Sequence, residues 1–219
     1  MGELTITCPH CGTQFVAVPD CTLSTISAKE TYQKAEESGF RFSEDGKTLL
    51  FAPKGITDFI IPRGVTTIGK KGFFRCRSLE SVTIPDSVTA IEREAFLGCE
   101  SLRSVTIPNS VTIIGSCAFS GCQSLQSATI PGSVKTIGRG AFFGCRSLQS
   151  LTIPDGVTTI GEMAFAECKL LRSATIPDSV AIIAQLTFNN CVLLQSVTIP
   201  QGALVEKDAF PEHTRIERR

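Results

Sequence analysis

Cysteine is the residue type in this chain whose placement most invites chemistry. Ten are present, and two stand in the run Cys8-Pro9-His10-Cys11-Gly12. Two thiolates on one tight turn suit tetrahedral zinc, because backbone N–H groups around the turn point at the sulfurs. Cys21 is the candidate third ligand. Asp20, His10 or a second chain are candidates for the fourth, since no second Cys-x-x-Cys follows. A metal-free thiol pair is the competing reading. Zinc is the one cofactor these residues suggest, and residues 1–24 are set apart as a zinc knuckle.

Six more cysteines, Cys76, Cys99, Cys122, Cys145, Cys168 and Cys191, recur every 23 residues. A fixed interval means one structural position, and the expected position is the core. Buried cysteine behaves as a small hydrophobe with a weak S–H donor. Free thiols are expected there rather than disulfides. Cys117 falls outside the row and is the expected reactive thiol.

Catalytic constellations are missing from the pattern. The two histidines, His10 and His213, stand at opposite ends of the chain. No glycine-rich phosphate or dinucleotide loop follows a strand. Carboxylates are scattered over the repeat. The expectation is a protein that is not an enzyme and has no small-molecule substrate.

The elements that position these residues follow from the repeat. Ile-Pro recurs with prolines at 62, 85, 108, 131, 154, 177 and 200, again every 23 residues. Phe73, Phe96, Phe119, Phe142, Phe165 and Phe188 keep the same interval. In the unit from Leu79 to Ser101, Leu79, Val82 and Ile84 hold the first, fourth and sixth places, and Val82 and Ile84 alternate with Ser81 and Thr83, the period of a strand with one buried face. Pro85 has no N–H and ends that strand. Val88, Ile91 and Phe96 point inward on the return path. Ala95-Phe96 reads as a short helical turn closed by Gly98. One unit cannot bury these side chains alone, so neighbouring units must stack.

The unit resembles the repeats of the BspA-like (Treponema pallidum type) leucine-rich-repeat family, from about Ile56 to Phe210. That resemblance implies an α/β repeat solenoid: a curved stack with a parallel β-sheet on its concave side and short helical turns on the convex side. It also implies protein binding or surface adhesion, since many members are exported. The Cys8-to-Gly12 run resembles the first half of a small zinc ribbon.

On such a stack the outward strand positions are Ser81 and Thr83, Ser104 and Thr106, Ser127 and Thr129, Ser150 and Thr152, with Ser173, Thr175, Ser196 and Thr198 beyond. Glu80, Arg103, Gln126, Gln149, Arg172 and Gln195 form a varied rim. This floor and rim are the expected protein-binding surface, although hydroxyl residues also serve simply as soluble strand formers. A second candidate lies near the carboxyl end. Serine holds the position two residues after the ladder cysteine at Ser78, Ser101, Ser124 and Ser147, then gives way to Leu170 and Leu193. Val192, Met163 and Leu186 add apolar character nearby. Contiguous exposed apolar surface marks interaction sites; a protein partner or a second copy of the chain are its candidate occupants.

Both ends of a solenoid need covers. Residues 25–55 read as an amino-terminal cap. Ser27 and Glu30 form a capping box for a helix from Ala28 to Ser38. A hairpin through Phe40-Arg41-Phe42 and Thr48 to Phe51 is expected to cover the edge of the first repeat strand. Residues 56–210 are the solenoid and residues 211–219 a charged tail beside a closing half-coil.

Lys+Arg and Asp+Glu are both 21, so the formal charge is zero and nothing global suggests nucleic acid. A nucleic-acid-associated adaptor remains as an alternative, built on the knuckle and on Lys70, Lys71, Arg75 and Arg77. No apolar run is long enough for a membrane span. The first residues have neither a basic start nor a long apolar core, so a cytoplasmic protein is expected. An exported adhesin lacking its leader is the other alternative.

Overall fold

The computed structural model describes residues 4–7, 14–17 and 28–219. Leu4–Thr7 and Gln14–Ala17 pair antiparallel, Leu4 opposite Ala17 and Thr7 opposite Gln14. Cys8, Cys11 and Cys21 lie outside the described residues, as does Ser27 of the expected capping box.

Most coils begin with a three-residue strand such as Ser81–Thr83 or Ser104–Thr106. Extended backbone alternates its side chains, so Ser and Thr face out while Val105 turns into the core. The Ile-Pro step ends the strand, and Val88 N–H closes a turn onto the Pro85 carbonyl at 3.0 Å. The serine of that turn has its own task. The hydroxyls of Ser87 and Ser133 donate to the Val65 and Val111 carbonyls of the preceding coil, both at 2.7 Å. Glycine takes the serine place at Gly64, Gly156 and Gly202, and an added Cβ at Gly156 would overlap the Gly132 carbonyl.

A second ladder, not expected from the sequence, comes next along the chain. Thr67–Ile68, Ala90–Ile91, Ile113–Ile114, Thr136–Ile137 and Thr159–Ile160 pair in parallel, Ile68 beside Ile91 and so on. The chain thus forms two parallel ladders per turn of a β-solenoid, not the single sheet expected. In the Ser-Thr ladder regular pairing lapses twice: between Ser81–Thr83 and Ser104–Thr106, and at Ser150-Leu151-Thr152, where one bridge joins Thr152 to Thr175. Leu151 is larger than its neighbours in the row, and Ala128 and Ala174 stand on either side of it.

The helical turns expected opposite the Ser-Thr strands are absent, so the repeat is a β-solenoid and not the α/β stack expected. The reason lies in where the N–H groups go. Ala95, Leu97 and Cys99 donate three residues back, to Glu92, Glu94 and Phe96. Glu94, Phe96 and Gly98 donate instead to Ser116, Ala118 and Ser120 of the next coil, at 2.7–2.9 Å. A helix keeps these bonds to itself. Glu94 and Gly98 are also left-handed, with φ of 60° and 74°, which interrupts any helical run. The segment is a string of tight turns stitched sideways to its neighbour.

The core fills the space between ladders and turns. Phe73, Phe96, Phe119, Phe142, Phe165 and Phe188 are wholly buried. Their rings stack nearly parallel, from 4.8 Å between Phe73 and Phe96 to 5.5 Å between Phe142 and Phe165. That spacing follows the strand spacing, since each ring rides one coil. Full burial of such a side chain contributes roughly 1.5–3 kcal/mol.

The one helix of the described residues is Ala28–Glu37. Arg41–Phe42 pairs antiparallel with Thr48–Phe51, giving the expected hairpin. Its placement differs from expectation. Thr48 and Leu49 pair with Thr67 and Ile68, so the hairpin starts the Thr-Ile ladder. Phe40, between helix and hairpin, faces the first Ser-Thr strand and stacks on Phe59 at 3.7 Å. At the other end the chain completes more than a half-coil. Leu204–Val205 pairs with Ile182–Ile183, Phe210 stacks on Phe188 at 5.5 Å, and Arg215–Arg218 pairs with Ser196–Ile199.

Candidate binding surfaces

The Ser-Thr ladder presents Ser81, Thr83, Ser104, Thr106, Ser127, Thr129, Ser150 and Thr152 as exposed side chains on one face. Arg103, Gln126, Gln149 and Arg172 are exposed beside them. At the first edge Ser81 Oγ donates to Asp58 Oδ1 at 2.5 Å, and this bond holds the Asp58 carboxyl below its ordinary range, with Thr57 assisting. Among the described residues, no other hydroxyl of this row has a side-chain partner, so the exposed ones from Ser104 to Thr175 remain available to a ligand, while Ser196 and Thr198 are half-buried. Arg103 reaches Glu80 at 3.0 Å. Both side chains are exposed, so the pair contributes about 0–1 kcal/mol and leaves the guanidinium accessible.

The face is less uniform than its repeat suggests. Ile60 takes the place of threonine in the first strand and is 71% exposed. Arg215 and Glu217 take the serine and threonine places in the last strand. The hydroxyl floor is therefore framed by an apolar residue and Asp58 at one end and by charges at the other.

Leu170 and Leu193 are 40% and 38% exposed, and Val192 is 56% exposed. The final coil does not hide them. Its path runs beside Val192, where Asn190, Asp208, Phe210 and His213 line a groove, and leaves both leucines open. Met163 and Leu186 are half-buried and add less. Ile182 and Leu204 are exposed neighbours on the outward face of the Thr-Ile ladder, and Ile113 is exposed further along it beyond Thr136 and Thr159; two-residue strands leave no alternation in the sequence to mark them.

The six ladder cysteines are buried free thiols. Cys99, Cys122, Cys145, Cys168 and Cys191 each donate S–H to the phenylalanine carbonyl of the coil before, at 3.2–3.4 Å. Burial pushes the Cys76, Cys122 and Cys145 thiols up, Cys76 to about 11. At Cys99 and Cys168 the contact with the next thiol, Cys122 or Cys191, acts in the same direction ahead of burial. Such thiols stay protonated and serve the core. Cys117 differs: it is half-buried and opens onto a groove of about 410 Å³ with Arg93, Ser120, Arg139 and Phe143. Among the described residues no group of three or more His, Cys, Asp or Glu gathers as a metal site, and no helix is long and apolar enough to cross a membrane.

Two parallel ladders, a phenylalanine stack and turns bonded coil to coil define a repeat protein of the β-solenoid class. The chain belongs to the BspA type leucine rich repeat family, whose model matches residues 44–138 and 89–217. Members of the wider leucine-rich-repeat group are generally protein-binding, non-enzymatic scaffolds. Among solved structures, a leucine-rich repeat protein of Treponema pallidum is 29% identical with a TM-score of 0.67, covering 81% of this chain and 90% of that one. A leucine-rich repeat protein of Bacteroides ovatus is 30% identical with a TM-score of 0.64, over 80% of this chain and 52% of that one. A leucine rich cell surface protein of Faecalibacterium prausnitzii is 33% identical with a TM-score of 0.54, over 70% and 51%. The chain thus spans about half the length of the last two. No curated protein matches the sequence.

Proposed function

We propose that this chain is a non-catalytic module that binds a protein partner on its Ser-Thr face. The observation that carries the reading is the row of hydroxyls exposed from Ser104 to Thr175, without side-chain partners among the described residues and rimmed by Arg103, Gln126, Gln149 and Arg172. A partner strand or loop laid across it would meet donors and acceptors about every 4.8 Å. Specificity would come from the rim and from the non-hydroxyl residues at its ends. The test is partner recovery by the intact chain against a Thr106→Arg, Thr129→Arg double variant. Both positions are exposed, so the fold should persist while recovery of the same partner drops at least tenfold. Unchanged recovery would reject this face.

The exposed Leu170, Leu193 and Val192 form a second contact area in this reading, for the same partner or for a second copy of the chain. Buried free thiols in six successive coils favour a reducing compartment, which supports a cytoplasmic location. The cell-surface description of the Faecalibacterium prausnitzii relative supports the competing adhesin reading. Fractionation of cells expressing the native gene decides between them.

A zinc site at Cys8, Cys11 and Cys21 is part of the same proposal. It draws support from the antiparallel pair Leu4–Thr7 and Gln14–Ala17, which brackets the Cys8-x-x-Cys11 segment in chain order. A knuckle of this kind would also suit the nucleic-acid-associated alternative.

A further inference from the structure

We infer that the first coil carries an anion-recognition site centred on Phe74, fitted to an acidic segment of a partner protein. Three cations converge on this one ring. Lys54 Nζ lies 5.6 Å from its centroid, Lys71 Nζ 5.2 Å and the Arg75 guanidinium carbon 5.2 Å. Lys54 also sits 5.4 Å from the exposed ring of Phe51 and donates to the Phe74 carbonyl. Like charges so close repel, and the attraction of the ring face for each cation helps hold them together.

Their carboxylate partners are few. Lys71 reaches Glu94 at 3.4 Å, but Glu94 is shared with Arg93 at 2.7 Å. Lys54 and Arg75 have no ion pair among the described residues. The cluster is an unbalanced positive centre on a chain whose formal charge is zero.

The repeat supplies internal controls. Gly98, Gly121 and Gly144 hold the place of Arg75 in the next three coils, all left-handed. Arg75 keeps the left-handed shape with φ of 53°, which an L side chain adopts under strain. Its stem crosses Gly98, where an added Cβ would come within 3.2 Å of Arg75 Cγ. Phe143 repeats the aromatic residue, yet Gly140 and Gly144 stand where Lys71 and Arg75 would be. Ring and cations coincide in the first coil alone.

The size of the cluster selects its ligand. All three charges lie within 5.6 Å of a single centroid. Two or three carboxylates of a short peptide can meet them, while an apolar neighbour rests on Phe51. A nucleic-acid backbone needs a longer basic stripe, and Glu92, Glu94 and Glu100 interrupt any such stripe here. This surface is separate from the Ser-Thr face, so it stands or falls independently of the function proposed above.

The experiment is fluorescence anisotropy on the full chain with a labelled peptide of four glutamates around one phenylalanine. The controls are its all-glutamine analogue and a twelve-nucleotide oligo-dT. The acidic peptide should bind, weaken at least fivefold between 50 and 300 mM salt, and outcompete both controls. Arg75→Gly installs the residue of the next three coils, and Phe74→Leu installs that of Leu97, so both should fold. Each should weaken binding at least fivefold, as should Lys54→Gln, whereas Lys207→Gln at the far end should not. Absent peptide binding at 50 mM salt, equal binding by all variants, or tighter binding of oligo-dT through the same residues would each overturn the inference.

Discussion

Cys145 Sγ donates to the carbonyl of Phe119 in the coil before, at 3.2 Å. The same oxygen already accepts from the Cys122 N–H at 3.2 Å. One thiol thus saturates the second lone pair of a buried carbonyl while filling apolar space. Cys145→Ala should cost about 1–2 kcal/mol, from the lost bond and a small void. Cys145→Ser should retain the bond but place a more polar group in the core. Urea denaturation measures both, and an alanine variant as stable as the parent would show that the bond is idle.

Alkaline pH should weaken the fold. Folding raises the Cys76, Cys99, Cys122, Cys145 and Cys168 thiols above their ordinary values. A raised thiol keeps its proton in the folded chain when the unfolded chain has lost it. The contribution to stability is therefore complete below about pH 8.5, the ordinary thiol range, and shrinks as pH climbs from there, for Cys76 up to about 11. Denaturation midpoints under reducing conditions should be level from pH 6.5 to 8 and fall from 8.5 to 10. A midpoint flat through pH 10 contradicts this account.

Phe119→Ala or Phe142→Ala removes a ring from mid-stack. Both are wholly buried, with neighbours at 5.0–5.5 Å. The expected loss is about 3–5 kcal/mol, as for other large-to-small core changes. Denaturant titration reads it directly, and less than about 1 kcal/mol would mean the stack closes around the gap.

Leu170→Ser with Leu193→Ser removes the exposed leucines near the carboxyl end. The side chains are 40% and 38% exposed, so each substitution should cost on the order of 1 kcal/mol and leave the fold intact. Sedimentation should show reduced self-association, or pull-down reduced partner recovery. If neither moves, the leucines have no part in binding.

For the knuckle, protein purified without chelator should contain about one zinc per chain by elemental analysis, and Cys8→Ser should lose it. Metal-free protein with freely titrating Cys8 and Cys11 would dispose of the site.

Much of the scaffold is legible in the residues. The 23-residue interval names the wholly buried Phe, Cys and Leu positions and the exposed Ser-Thr rows, because burial in a stacked coil repeats with the coil. Leu170 and Leu193 stand out as breaks in that rhythm. The turn segment misleads because Ala95-Phe96 before Gly98 suits a helix locally. The second ladder escapes notice because Thr67–Ile68 and its equivalents are only two residues long, too short to show alternation.

What the sequence by itself determined is one-dimensional: the period, the register between coils, and which side chains enter the core. Tertiary structure decided what depends on a neighbour. Whether the Phe96 N–H closes a helix or crosses to Ala118 is settled by the next coil's carbonyl, 2.7 Å away. The hairpin joined the Thr-Ile ladder because Thr67 and Ile68 offered the matching edge. Lys54 reached Phe74 because stacking folds the preceding loop over the first coil. A repeat read along the chain carries the vertical order of such a stack, while lateral partners exist only once the coils lie against each other.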